Sequence, residues 1–137
     1  MNTSEAREAI YTALVAAIPA GTPVIWDNRD TFDLNNDQRM HIRTEFIVHA
    51  SEQKSLGQLK VVRRQGVLAL MVCVKEGTGT AQAIDLAVVL CSALQMKSFS
   101  GLQTKAASPE RSAKVKGWHL QPVSVPFWFD ELVDQPE

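Results

Sequence analysis

Residues 67–75, VLALMVCVK, put apolar side chains on both faces of any strand they form. Neighbouring strand residues point to opposite sides, so such a run needs cover above and below and reads as a central strand. It leads through KEGTGT into a second apolar segment, from Thr80 to about Met96, with helical spacing. Ile84, Ala87, Val88, Cys91 and Leu94 form one stripe of that helix, while Leu86, Val89, Leu90 and Ala93 nearly fill the other side. A helix that is apolar almost all round is buried on more than one side. One sheet covers one face, so the remainder must meet another helix or another subunit.

The rest of the chain supplies the other layers. Residues from about Ser4 to Ile18 read as a helix with Ser4 as N-cap and Glu5 and Glu8 in its first turns. Ala6, Ile10, Ala13, Leu14, Ala17 and Ile18 make its apolar face, and Pro19, Gly21 and Pro23 end it. PVIWD (Pro23 to Asp27) reads as a short strand, and the polar stretch Asn28 to Arg39 as a loop. HIRTEFIVHA alternates, with Ile42, Thr44, Phe46, Val48 and Ala50 on one face and His41, Arg43, Glu45 and His49 on the other. SEQKSLGQLK reads as a polar connection with room for one helical turn, and VVRRQG as an edge strand or hairpin arm. FSGLQTKAAS is expected to be a strand that turns at Pro109, and PERSAKVKG a mobile charged loop. In WHLQPVSVPFWFDEL, Gln121, Val123, Val125 and Phe127 lie opposite Trp118, Leu120 and Trp128. The expectation is one α+β domain over 1–137, ordered α-β-β-β-α-β-β. Two main helices pack on a mostly antiparallel or mixed sheet of about five strands, with residues 1–3 and 133–137 disordered.

A strand, a glycine-rich loop and a helix can cradle phosphate, but KEGTGTAQA fails that test on spacing. A Walker A loop carries Lys and then Ser or Thr after its second glycine, whereas Lys75 precedes Gly77 and Gly79, and Ala81 follows Thr80. The dinucleotide fingerprint needs a third glycine. The loop therefore reads as a tight corner with Thr80 as helix N-cap. Asp33, Asn35 and Asp37 match the first ligand positions of an EF-hand, but Gln38 and Thr44 stand where glycine and glutamate are required. His41 and His49 are roughly 26 Å apart along one strand, and His119 is on another; each reads as a surface histidine. Cys73 and Cys91 sit in apolar segments that keep a thiol protonated and inert. No catalytic, cofactor or metal site emerges.

Charge narrows the partners. Fourteen basic side chains face 15 acidic ones, so the basic excess of a dedicated nucleic-acid binder is missing. Lys60, Arg63 and Arg64 cluster, as do Lys105, Arg111, Lys114 and Lys116. No run approaches the roughly 20 apolar residues of a membrane span, and Glu5 and Glu8 stand where a signal peptide carries basic residues. Synthesis and residence in a cytoplasm are expected. The surplus is apolar instead, because Phe127, Trp128 and Phe129 are consecutive and a strand cannot turn all three into one core.

PVIWDN after an N-terminal helix, RRQGVLALMVCVKEGTG leading into a helix, and VPFWFDE near the end resemble the phage tail-terminator-like proteins, over about residues 4 to 132. The resemblance implies a structural virion protein and not an enzyme, without cofactors, made in the host cytoplasm and resident at the tail end or neck. It implies a ring, typically of six subunits, that caps the head-proximal end of the tail tube. Such a ring stops tube polymerisation and presents a surface to the head connector, with DNA passing through the lumen without sequence-specific binding. Ring contacts are expected in the loop Asn28 to Arg39, the arm Ser51 to Arg64 and the loop Pro109 to Lys116. The residues singled out are Arg29, Asp30, Asp33, Arg63, Arg64, Arg111 and Lys114, with Arg63 and Arg64 meeting acids such as Asp30 or Asp33 of a neighbour. The alternatives are another phage neck or head-completion protein, and a small binding or enzyme domain with a pocket between helix and sheet.

Overall fold

In the computed structural model, residues 1–26, 39–57, 59–77 and 79–134 are described. The order is α1 (Thr3–Ala17), β1 (Val24–Ile25), β2 (His41–Gln53), β3 (Leu59–Lys75), α2 (Ala81–Leu94), β4 (Ser98–Phe99), β5 (Leu102–Thr104), β6 (Ser108–Pro109), β7 (Ala113–Val115) and β8 (Trp118–Asp134). The α+β class and two helices match the expectation, but the sheet is 8-stranded and not about five-stranded. The strand expected in FSGLQTKAAS is broken into β4, β5 and β6, and PERSAKVKG adds β7; β5, β6 and β7 pair with β8, and β4 pairs with β5.

Three long strands make the frame. Their order is β2-β3-β8, antiparallel throughout, with β1 parallel to β2 at the outer edge. VVRRQG is a hairpin arm and not an edge strand: it pairs with the end of β2 on one side and with β8 on the other, and runs straight into the apolar segment as part of β3. The polar connection after β2 forms no helical turn among its described residues, since β2 continues to Gln53 and β3 begins at Leu59. Gly66 allows this continuity. It pairs with Val48 and Phe127 at a β-bulge in β2, where the Phe127 ring lies over it. The β8 prolines sit where they cost no ladder bond to β3. Their carbonyls instead face the short-strand edge, accepting from Lys105 N–H (2.8 Å, Pro126) and Glu110 N–H (2.9 Å, Pro122).

Both helices lie on one face of this sheet. Ala6, Ile10 and Leu14 of α1 and Ala83, Leu86, Ala87, Leu90, Cys91 and Leu94 of α2 are buried against Ile42, Leu68, Leu70, Val72, Val74, Val123, Val125, Phe127 and Phe129. Burial alternates strictly from Gln121 to Phe129, so Phe127 and Phe129 enter the core and Trp128 points to the opposite face. The α1 cap is Asn2, not Ser4: Asn2 accepts from Glu5 N–H (2.8 Å) and Glu5 returns the bond to Asn2 N–H (2.9 Å). Residues 1–3, expected to be disordered, thus open the helix, and β8 carries residues 133 and 134; residues 135–137 lie outside the described residues. Gly77 and Gly79 have φ of +92° and +89°, as the corner reading requires, but the Thr80 side chain makes no capping bond to α2. PERSAKVKG is not a free loop: β6 and β7, which overlap it, pair with β8.

Candidate assembly surfaces

The outer side of α2 is the first surface. Ile84, Val88 and Val89 are about half exposed (48%, 54% and 48%), in a row that also holds Asp85 and Ser92. The helix packs on the sheet and against α1 through its other side. Its buried stripe is therefore 83/86/87/90/91/94, and the sequence stripe built on Ile84 and Val88 is corrected, since those two face out. Asp85 is the helix's one charged residue.

The second surface is the sheet face away from the helices. The sequence predicts cover for it, because β3 is apolar on both sides. Cover exists at one end, where Cys73 and Trp118 are buried with Ile25 and Leu120 packed on them. His41 belongs to the same end, 1% exposed with its ring edge-on to Trp118 at 4.8 Å, so it is a core histidine and not a surface one. Further along the face, Ile47, Val67, Ala69, Pro122 and Pro126 are only half-buried and Met71 is 36% exposed. Arg43 sits opposite Met71 in the register. Its guanidinium lies beside the Cys73 thiol, and its Nε is buried with no hydrogen-bond partner among the described residues. Burial dominates that thiol, pushing it up to about 11.

The charged candidates divide into three groups. Arg63 is bound in its own chain, Nε to Asp130 Oδ1 at 2.9 Å and Nη2 to Oδ2 at 3.1 Å, with its guanidinium 4.0 Å from the Trp128 ring centroid. Arg64 reaches Glu131 at 2.7 Å and Ser51 at 2.9 Å. Arg111 and Lys114 are exposed on the β6–β7 segment, where Lys114 approaches Glu76 at 3.7 Å. Arg29, Asp30 and Asp33 lie outside the described residues, as do Asn35 and Asp37 of the EF-hand-like stretch.

The remaining buried polar groups support the backbone. Thr44 donates to Ile25 O (3.3 Å), Thr104 to Leu94 O, and Gln121 to Glu110 O (2.9 Å). Among the described residues no group of three or more His, Cys, Asp or Glu is placed to hold a metal. Among them, too, no helix is long and apolar enough to cross a membrane.

Comparison with known proteins identifies the class. The sequence model of a family described as phage tail terminator protein matches residues 5–127. No curated protein matches the chain. One solved structure, whose name states no function, superposes with a TM-score of 0.64 at 18% identity, covering 100% of this chain and 99% of that one. At that identity the likeness speaks for the fold alone.

Proposed function

The chain belongs to the phage tail terminator family, and from that premise we propose that it closes into a ring on the head-proximal end of a tail tube. The family is a structural one of phage tails. The ring, of six copies, ends tube polymerisation and offers its other side to the head-connector proteins. One observation carries the reading: a chain of this family leaves two unlike apolar surfaces open, the outer side of α2 and the helix-free sheet face. A closed ring needs one such pair per subunit, because its interfaces are head-to-tail. The near-neutral charge of the chain, −1, suits a lumen through which DNA has to slide.

The exposed cations Arg111 and Lys114, and the segment holding Arg29, Asp30 and Asp33, are assigned to contacts with a neighbour, the tube or the connector. Arg63 and Arg64 contribute there as parts of ion pairs already made, so their carboxylate partners Asp130 and Glu131 belong to the same surface.

The test is tube growth in vitro. Purified tail tube protein of the cognate phage, polymerised with this chain, is expected to give tubes that stop growing and bear a ring at one end. Tubes that grow on unchanged and uncapped defeat the proposal. Attachment to filled heads in place of tubes favours the head-completion role.

A further inference from the structure

The two open surfaces complement one another. The sheet face presents Val67, Ala69 and Met71 with a guanidinium, that of Arg43, whose Nε is buried without a hydrogen bond among the described residues. The helix presents Ile84, Val88 and Val89 with a single carboxylate, Asp85, and no cation. We propose that the outer side of α2 in one subunit lies on the helix-free sheet face of the next, with Asp85 reaching the Arg43 guanidinium across the contact. This rests on the ring reading and names the surfaces that meet in it.

Three arguments support the pairing. Arg43 is a cation among apolar side chains on the sheet face, and a carboxylate is the acceptor that best satisfies a guanidinium. A helix on the bare face provides the second layer that β3, apolar on both sides, lacks among the described residues of its own chain. Finally, α2 packs on the other face of the sheet, so its outer side and the bare sheet face point in opposite directions and cannot meet inside one subunit. Contact between copies is then heterologous and propagates until rotation closes it. Glu45, exposed on the same sheet face two residues from Arg43, carries the same charge as Asp85 and repels it, so the approach to the guanidinium is from the Cys73 side, over β3.

Two single variants test this in the full chain. Val88→Asp spoils the helix surface and leaves the sheet face intact; Met71→Asp does the reverse. Each alone is expected to keep its circular dichroism and lose the ring. Mixed in equal amounts, they are expected to form a dimer and nothing larger, read by native mass spectrometry, since one good interface remains. If Met71→Asp loses its fold, Ser124→Arg on the adjacent strand replaces it. Rings of wild-type size from either folded variant, or a mixture that stays monomeric while the wild type closes rings, overturn the pairing and leave the ring reading standing. The pairing is likewise overturned if the variants still form rings and fail only to bind tubes, because the surfaces then face the tube protein. A wild-type chain that forms no ring even on tubes defeats the ring reading and the pairing together.

Discussion

Asp130 and Arg63, 67 residues apart in the chain, meet side by side on adjacent strands through two parallel hydrogen bonds of 2.9 and 3.1 Å. The guanidinium stacks 4.0 Å above the Trp128 ring, so the pair is held by planar contact as well as by charge. The Arg63 hydrogen bond holds the Asp130 carboxyl below its ordinary value, against a smaller opposing effect of burial.

That depression sets a pH dependence. A carboxylate lowered in the folded state stabilises the fold above its unfolded value, and the contribution fades as pH falls through the folded one. The window is therefore below about pH 4. Asp130→Asn is expected to be less stable than wild type at pH 7 and to converge with it near pH 2, read as urea midpoints across pH. A constant difference over the whole range would count against the pair.

Gly66 is expected to tolerate no side chain. A Cβ there would run into the Ile47 carbonyl oxygen and lie 2.7 Å from Phe127 Cζ, in a ring that stacks on Phe46 at 4.8 Å. Gly66→Ala should cost at least about 2 kcal/mol in urea unfolding, at the upper side of overpacking penalties. A neutral result would mean that the bulge is not where the structure puts it.

The two possible caps of α1 are separable. Asn2→Ala removes the side-chain acceptor of the Glu5 N–H and leaves the Asn2 backbone N–H on the Glu5 carboxylate; it should cost about 1 kcal/mol, whereas Ser4→Ala should change little. Thermal unfolding of the two variants side by side decides which residue opens the helix.

Cys73 should be nearly inert. With its thiol pushed up to about 11 by burial, its thiolate fraction at pH 8 is about 100-fold below that of a free cysteine. In a Cys91→Ala background, labelling by Ellman's reagent should be slower than in urea by at least that factor. Equal rates would place Cys73 at the surface.

How much of this is legible in the sequence depends on how local the cause is. The α1 face of Ala6, Ile10 and Leu14 and the alternation from Gln121 to Phe127 follow from spacing within single segments, and both stand in the structure. Asn2 escapes a reading of the sequence because Ser4 offers the same cap chemistry two residues later. The segments of β6 and β7 are polar and exposed, so they are strands only through backbone bonds to β8, which leave no mark on their side-chain pattern. His41 alternates like a surface residue, yet Trp118 closes over it from the far end of the chain. The partners of Arg63 and Arg64 depend on the β3–β8 register, which no local pattern encodes. The assembly surfaces are half legible: the apolar surplus of α2 and β3 is plain in the sequence, but which residues remain exposed depends on how the helix is rotated on the sheet.

We propose that this chain assembles head-to-tail into a closed ring. Solution mass by light scattering over a concentration series, with electron microscopy of any large species alone and with tail tubes added, tests it most directly. A discrete closed ring, free or seated on the tube end, is expected. A strict monomer that also ignores tail tubes would contradict it.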